Sequence, residues 1–430
     1  MSNFVFVVDT NGQPLNPVPP GQARRLLKLQ KAAIYRRYPL TIVLKYTVSA
    51  PQIQPHQLKI DPGAKVSGLA IVRDDKVIWG AELTHRGQQI KHDLASRRAL
   101  RSHRRNRKTR YRQPRFLNRT RKSGWLPPSL ESRVENILTW VNRIRRYVPI
   151  TGISQELVKF DTQAMQNPEI SGIQYQQGEL AGYEIREYLL EKWGRKCAYC
   201  NAQNIPLEIE HIHPRSKGGS SRVSNLTIAC RHCNEAKGNQ ELKDFLAQQP
   251  ELFDRIAKQA KQPLKDAAAV NSTRWQLFNR LKETSLPVEI GTGGQTKYNR
   301  TRLELPKTHW LDAACVGLVS QLKILTAGPL LIQASGWGSR QICQPNKYGF
   351  PIRHKTRCKE FFGFKTGDMV QATLPTGKFA GTHRGRLIVR ASGVFEMMSP
   401  TGKVSPVRHK YCRAIHHNDG YTYTLSTCVQ

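Results

Sequence analysis

Acidic residues are scarce in this sequence. Its 430 residues include 31 Asp and Glu against 68 Lys and Arg, so the formal net charge at pH 7 is +37. A surface this basic attracts polyanions, and release of their counterions favours binding. Nucleic acid is therefore the first partner to consider, although a ribosomal or histone-like protein would show the same excess. A chain of this length accommodates two or three domains.

Long apolar runs are also absent. No stretch of about 18 consecutive apolar residues occurs, so the sequence predicts no membrane span. The N-terminal segment MSNFVFVVDTNGQP lacks the charged and apolar regions of a signal peptide. Nine cysteines, four of them in metal-type pairs, suit a reducing compartment. We therefore expect a cytoplasmic protein. No pairing pattern is evident for Cys315, Cys343, Cys358, Cys412 and Cys428.

Two Cys-x-x-Cys pairs lie within residues 197–239. They are Cys197 with Cys200 and Cys230 with Cys233. Each short loop can present two sulfur atoms to one ion, and four thiolates are what a tetrahedral structural Zn²⁺ requires. The sequence therefore predicts a zinc site at these four cysteines.

The loop between the cysteine pairs carries residues that a zinc ion does not need. It contains the pair Glu210-His211 and Asn225 in the triplet SNL, and Asn234 follows the last cysteine. A histidine can act as a general base toward water, and Glu and Asn supply the oxygen ligands that Mg²⁺ prefers. His213 shares a face with His211 if the segment is a strand, and we interpret it as a neighbour of the base. The alternative is a structural zinc module with incidental histidines.

Residues 86–122 contain 15 Lys or Arg and a single acid, Asp93. The composition suits a helix, but the segment has almost no apolar stripe and so cannot be a core helix. Because Arg binds phosphate through a bidentate fork, we predict a helix along the backbone of RNA or of a hybrid duplex. The alternative, a disordered basic tail, is disfavoured by the position in mid-chain. The arginines predicted to bind nucleic acid are Arg97, Arg98, Arg101, Arg104, Arg105, Arg107, Arg110 and Arg112.

Three further carboxylates lie in predicted elements that are far apart in the chain. Asp61 ends a short strand before a Pro-Gly turn, and Glu156 lies in a later strand. Asp312 follows His309 by three residues in a predicted helix, so these two side chains share a face. Spacing alone does not group these residues, and each acid taken singly could lie in a turn or on a surface.

Residues 197–239 resemble the active site of the HNH nucleases, in which a β-hairpin and a helix surround one divalent metal. The resemblance implies that His211 is the general base and that Glu210 and Asn234 bind a catalytic Mg²⁺. It also implies that Asn225 orients the His211 ring. Phosphodiester hydrolysis needs both an activated water and a cation near the developing charge.

The carboxylates, in their order along the chain, resemble the split RuvC nucleases of the RNase H-like fold. The resemblance implies that Asp61, Glu156 and Asp312 bind two Mg²⁺ ions ~4 Å apart, which clamp the attacking and leaving oxygens. His309 would contact the scissile phosphate or the water.

The order of all these motifs resembles IscB, a transposon-encoded relative of the type II CRISPR effector nucleases. The resemblance covers essentially the whole chain, and PLNP at residues 14–17 stands where that family has PLMP, with Asn16 in place of Met. It implies a protein monomer in a ribonucleoprotein with a guide-bearing noncoding RNA (the ωRNA). The particle would lie in the prokaryotic cytoplasm and join the nucleoid when bound to DNA. Such a particle cuts double-stranded DNA beside a short adjacent motif. HNH would cut the guide-paired strand and RuvC the displaced strand.

The predicted fold is multidomain α/β. An RNase H-like (RuvC) core is interrupted by an Arg-rich bridge helix and a zinc-stabilised ββα-metal HNH domain. Alternating segments such as YTYTL predict a small C-terminal β-barrel. The predicted boundaries are 1–55 (PLMP-like), 56–85 (RuvC-I), 86–122 (bridge helix), 123–184 (RuvC-II), 185–250 (HNH), 251–330 (RuvC-III) and 331–430 (interaction with the target-adjacent motif).

Two other functions stay open on the sequence. A protein-only HNH homing or restriction-type endonuclease would explain the cysteine-rich stretch but leaves the Arg-rich segment and the flanking carboxylates without a role. A non-catalytic, zinc-containing RNA-binding protein would explain the charge, but not the presence of Glu210, His211, Asn225 and Asn234.

Overall fold

The computed structural model describes most of the chain. Within the described ranges, no helix combines the length and the apolar character needed to pass through a bilayer. For residues 104–106 and 267–271 the description covers the backbone alone. The described residues are 3–106, 125–157, 189–190, 192–203, 205–261, 267–337, 343–348, 350–354 and 356–425.

The first unit is a four-stranded sheet with one helix. Its elements are β1 (Val5–Val8), β2 (Pro14–Val18), α1 (Pro20–Lys28), β3 (Ala32–Arg36) and β4 (Thr41–Leu44). The strand order is β2-β1-β4-β3, with β1 parallel to β4. On β2, the Nδ2 of Asn16 donates to the Gln52 carbonyl at 2.8 Å, and its Oδ1 accepts from the Gln54 N–H at 3.1 Å. Asn16 therefore joins this unit to the segment that leads into the next strand.

A second set of elements begins the largest sheet. These are β5 (His56–Asp61), β6 (Val66–Arg73), β7 (Lys76–Thr84), α2 (Gly87–Asn106), α3 (Pro128–Arg145) and β8 (Ile150–Glu156). β5, β6 and β7 form an antiparallel meander, and β8 pairs parallel with β5. The predicted basic helix corresponds to α2, which contacts α3.

The cysteine-rich stretch forms its own small unit. Its elements are β9 (Leu207–His211), β10 (Leu226–Cys230), α4 (Arg231–Lys237), α5 (Leu242–Phe245) and α6 (Pro250–Lys261). One apolar cluster runs from Leu189 to Ala260 and includes Ile256 of α6. The unit thus extends past the predicted boundary at residue 250, because α6 contributes to its core.

The chain then returns to the large sheet. The elements are α7 (Ala267–Lys282), β11 (Val288–Gly291), α8 (Gly293–Arg302), α9 (His309–Ala314), β12 (Lys323–Ile324) and β13 (Leu330–Ala334). β11 pairs parallel with β8, so the two strands on either side of the cysteine-rich unit are neighbours. That unit is therefore an insertion in the sheet.

In the C-terminal region, the described residues form β-strands and one short 3₁₀ turn. Its strands are β14 (Cys343–Pro345), β15 (Pro351–His354), β16 (Glu360–Phe361), β17 (Phe364–Lys365), β18 (Met369–Leu374), β19 (Gly381–Ile388), β20 (Val394–Ser399), β21 (Gly402–Arg408), β22 (Cys412–His416) and β23 (Tyr421–Leu425). Five of them form an antiparallel sheet in the order β21-β20-β19-β18-β22. No ladder among the described strands joins β21 to β22, and closure into a barrel stays a prediction.

The segment YTYTL departs from its predicted place. It forms β23, which pairs antiparallel with β13 at the edge of the large sheet. Seven of the eight described strands of that sheet follow the order β11-β8-β5-β6-β7-β13-β23, and the eighth, β12, pairs with β7. The assignment of YTYTL to the C-terminal barrel was wrong. Alternating polarity marks a strand with two different faces but does not say which sheet it joins.

The large sheet is covered on both faces. Along β6, Leu69 and Ile71 belong to the main core with α3 and α7, whereas Ala70 and Val72 pack against α9. This division follows the alternation of side chains along a strand. Burial on both faces also accounts for the nearly continuous apolar run of β6.

Gly68 decides how closely α9 approaches the sheet. It pairs with Asp61 across β5 and β6, and a Cβ there would lie 1.8 Å from the carbonyl oxygen of His309. Only a residue without a side chain permits this contact. The start of α9 is therefore held directly over the end of β5.

We expect Gly68→Ala to destabilise the protein by about 1–3 kcal/mol, because the new methyl group must push α9 away from β6. Gly21→Ala is the matched control, since a Cβ at Gly21, in the first turn of α1, meets nothing within 4 Å. Urea unfolding followed by tryptophan fluorescence measures the difference. Equal midpoints for the two variants would contradict the close packing of α9.

Candidate functional site

The four predicted zinc ligands come together. The Sγ atoms of Cys197, Cys200, Cys230 and Cys233 all lie within 4.8 Å of one another, and no other such group of His, Cys, Asp or Glu occurs among the described residues. Burial acts to raise the pKa of the Cys197 thiol, but hydrogen bonds from the backbone of Cys200 and Cys230 lower it to about 7. Four closely spaced sulfur atoms with amide donors suit a tetrahedral Zn²⁺, which these cysteines would hold.

His211 lies at the end of β9, at the edge of the insertion. Its Nε2 is 3.5 Å from the Ser221 Oγ. Burial lowers the pKa of His211, and the positive charges of Arg215 and Lys237 lower it further. Because the usual pKa of His is about 6.5, the imidazole is neutral at pH 7 and can accept a proton. The predicted role of general base is compatible with this position.

Glu210 lies in an environment that the sequence did not indicate. Its Oε1 accepts from the Lys237 Nζ at 2.6 Å, and its Oε2 accepts from the Tyr199 hydroxyl at 2.6 Å. Lys237 is 0% exposed and Glu210 is 5% exposed. Burial raises the pKa of Glu210, whereas these two hydrogen bonds lower it. Both carboxylate oxygens are thus hydrogen-bonded, and each keeps a lone pair with which it can also bind a metal ion.

The two asparagines also differ from their predicted contacts. Asn225 accepts from the His213 N–H at 2.8 Å and donates to the carbonyls of His213 and Ser220. It therefore fixes the loop after β9, and the role of orienting the His211 ring stays a prediction. Asn234 on α4 donates to the Glu208 Oε2 at 2.7 Å. No described side-chain hydrogen bond joins Glu210 to Asn234. The metal site predicted at these two residues stays a prediction.

The predicted RuvC residues meet at one end of the large sheet. Asp61 and Glu156 end the parallel neighbours β5 and β8, where Ile60 pairs with Gln155. The Nδ1 of His309, at the start of α9, is 3.9 Å from the Asp61 Oδ2. Parallel pairing and the close approach of α9 therefore bring together residues that are far apart in the chain.

Neighbouring acids raise the pKa of two carboxyl groups at this end of the sheet. Burial and the neighbouring Asp61 raise the pKa of Glu156 to about 7 and that of Asp312 to about 6. The nearby Asp61 carboxylate raises the pKa of His309. Oxygen-rich, like-charged groups of this kind suit hard divalent cations such as Mg²⁺. No three of these groups have ligand atoms within 4.8 Å of one another in the described structure.

Two arginines at this carboxylate cluster were missed by the sequence analysis. Arg274 of α7 lies 3.3 Å from the Glu156 Oε1 and donates to the Pro62 carbonyl at 3.2 Å. Arg300 of α8 lies 2.8 Å from the Asp312 Oδ1. Both act against the raised pKa of their partners. Nothing in the sequence around Arg274 or Arg300 distinguishes them from the many other arginines of this basic chain.

The Arg-rich helix is exposed where its side chains are described. Arg97, Arg98 and Arg101 are all exposed on α2. Arg104 and Arg105 lie in the last turn, where only the backbone is described, and Arg107, Arg110 and Arg112 lie outside the described residues. The three described side chains are accessible to a phosphate backbone.

Two family models match the chain. Residues 5–178 match the model described as RRXRR protein, and residues 197–240 match HNH endonuclease. Residues 197–240 therefore form an HNH endonuclease domain. An arginine-rich segment followed by an HNH domain confirms the predicted resemblance to the IscB-like nucleases. Among curated proteins, none matches this sequence.

Several solved structures are similar to parts of the chain. A structure of Streptococcus thermophilus Cas9 in complex with the GGAA PAM is 14% identical over 61% of this chain and 32% of its own, with a TM-score of 0.22. The type II-C Cas9 of Actinomyces naeslundii is 16% identical over 46% of this chain and 29% of its own, with a TM-score of 0.17. The chain thus spans about a third of the length of these proteins. TM-scores this low do not establish a shared fold.

We expect Cys230→Ser to lower the zinc content of the purified protein well below one ion per chain, because the hydroxyl is a poor replacement for a thiolate ligand. The HNH unit should then become sensitive to limited proteolysis. Cys358→Ser, at an exposed cysteine outside the cluster, is the control. Metal analysis that finds one zinc in both variants would refute the assignment.

The buried ion pair yields a second prediction. Lys237→Ala leaves the Glu210 carboxylate buried without its cation, and we expect a loss of about 3–5 kcal/mol in the stability of the HNH unit. Arg231→Ala, on the same helix, breaks only the exposed pair with Glu235 and should change little. Thermal unfolding of both variants tests the difference. Similar melting curves would show that the pair contributes little.

Proposed function

We propose that this protein is an RNA-guided DNA endonuclease with two separate nuclease centres, an HNH centre and a RuvC-like centre. The observation that carries the proposal is the insertion of the HNH unit between β8 and β11. These strands are parallel neighbours in one sheet, and Glu156, the last residue of β8, belongs to the second cluster of acids. One chain would thus contain two sites with different chemistry, one for each DNA strand.

The RuvC-like centre would use Asp61, Glu156 and Asp312 as ligands for two Mg²⁺ ions. These ions supply the Lewis acid that activates water and stabilises the leaving oxygen. The antiparallel meander β5-β6-β7 with parallel strands at one side, and acids at the ends of β5 and β8, supports an RNase H-like core. His309, beside Asp61, is placed to contact a phosphate or the water.

The HNH centre would use His211 as general base. Its lowered pKa keeps the ring unprotonated at neutral pH, and it is the last residue of β9, directly after Glu210. Glu210 and Asn234 would bind one Mg²⁺ through a carboxylate oxygen and an amide oxygen. General-base catalysis of this kind contributes about 10²–10⁴-fold.

The RNA would lie along α2. The exposed arginines of this helix and the net charge of +37 support a long polyanionic partner. Sequence recognition would then rest on base pairing with a guide, while the protein binds backbones and a short motif beside the target. The C-terminal sheet is the region we assign to that motif.

The test uses protein expressed with its flanking genomic DNA, so that any RNA partner is present. RNA that co-purifies is sequenced, and a plasmid matching its guide-like end is digested with Mg²⁺. We expect His211→Ala to abolish cutting of the guide-paired strand alone, and Asp61→Ala cutting of the other strand alone. Each variant should convert supercoiled plasmid to a nicked circle, with a loss of at least about 10²-fold at the affected strand.

His213→Ala is the control, because His213 is paired with Glu241 at 2.9 Å and has no catalytic role in this proposal. Loss of both cuts in either single variant would sink the assignment of two independent centres. Protein that contains no defined RNA and still cuts DNA with Mg²⁺ would instead indicate a protein-only HNH endonuclease.

A further inference from the structure

An open cleft of about 610 Å³ lies between the start of α2 and the end of β13. It is separate from both nuclease centres. Its volume falls within the ~300–1,000 Å³ typical of sites for small ligands, and a single nucleotide fits in it. The residues used below are Gln89, Asp93 and Arg97 from α2, and Trp337 just past β13.

The wall of this cleft is held by defined contacts. The Arg86 Nη1 donates to the Ser335 carbonyl at 2.6 Å and joins the start of α2 to the end of β13. The N–H groups of Ser335 and Gly336 both donate to the Gly420 carbonyl, at 2.9 and 2.8 Å. Gly336 has a φ of +69°, a conformation that suits glycine. This turn of the chain places the next residue, Trp337, in the lining of the cleft.

That next residue, Trp337, is 68% exposed. A tryptophan with so much of its ring in solvent is unusual for a residue that serves packing alone. Its ring edge approaches Gly420, where a Cβ would come within 3.6 Å. Aromatic rings in basic surroundings are platforms on which nucleobases stack. Arg97, which lines the same cleft, is suited to the accompanying phosphate.

Asp93 also lines this cleft, and it is the single acid in residues 86–122. Its Oδ1 accepts from the Gln89 Nε2 at 2.7 Å. A carboxylate repels phosphate, so binding of a nucleic-acid backbone does not explain why Asp93 lies in this cleft. Two carboxylate oxygens accept hydrogen bonds and donate none. They match the two neighbouring donors on the Watson–Crick edge of guanine, N1–H and N2–H, whereas adenine presents an acceptor at N1.

We propose that this cleft binds one unpaired guanine nucleotide. The base stacks on Trp337, its donor edge faces Asp93, and its phosphate lies near Arg97. The inference deepens the proposed function, because the bound RNA is the source we expect for this nucleotide. The cleft then fixes one flipped-out base of the RNA against the start of α2.

The test measures binding of labelled RNA pentamers UUGUU and UUAUU by fluorescence anisotropy, using the full-length protein freed of nucleic acid. We expect wild-type protein to bind the guanine pentamer about tenfold more tightly. Asp93→Asn should abolish this preference. Trp337→Ala should weaken binding of the guanine pentamer about tenfold, without changing the slope of affinity against salt, because a stacked base releases no counterions.

Tyr298→Ala is the control for Trp337→Ala, since Tyr298 is 66% exposed and lies outside the cleft. It should bind both pentamers as wild-type protein does. Thermal unfolding of each variant checks that the fold is kept. Equal binding of both pentamers by wild-type protein, or an unchanged affinity in Trp337→Ala, would overturn the proposal. Tighter binding of the DNA pentamer TTGTT than of UUGUU would overturn RNA as the source.

The two proposals can fail separately. Short pentamers cannot act as guides, so a guanine preference that depends on Asp93 supports the cleft even if no guided cutting is found. Conversely, wild-type protein that cuts guided DNA but shows no guanine preference retains the proposed function and loses the nucleotide site.

Discussion

The central constraint of this structure is the gathering of like-charged carboxylates at one end of a buried sheet. Asp61 and Glu156 end neighbouring parallel strands, and Asp312 is brought toward them on α9. Burial and repulsion by Asp61 raise the pKa of Glu156 to about 7, so nearby cations favour its charged form. Arg274 and Arg300 supply part of that positive charge, and divalent metal ions would supply the rest.

Much of the surrounding architecture serves this arrangement. Gly68 lets the backbone of α9 rest on β6, and Gly80 leaves room for the Trp310 ring, where a Cβ would lie 2.4 Å from a ring carbon. The helices that carry Arg274 and Arg300 both follow the HNH insertion in the chain. The segment that follows the HNH insertion therefore adds β11 to the edge of the sheet. It also supplies two arginines that offset the negative charge of the carboxylate cluster.

The HNH unit is stabilised by different interactions. It is small, and its hairpin and helix are joined by the cysteine cluster and by the buried pair of Glu210 with Lys237. A small unit has little core of its own, so a bound metal and a buried polar network add order that packing alone would not provide. His211, the last residue of β9, is half-buried, and its lowered pKa keeps it neutral at pH 7.

The sequence by itself determined the cysteine cluster, the position of His211, the basic helix and the acids at the strand ends, because each depends on residue type and short-range order. It could not determine the partners of those residues. Arg274 and Arg300 are set beside Glu156 and Asp312 only by the packing of helices far along the chain. Both oxygens of Glu210 are occupied by Tyr199 and Lys237 only because the hairpin folds against α4. The tertiary structure also decided that YTYTL joins the large sheet, since strand alternation specifies two faces but not a neighbour.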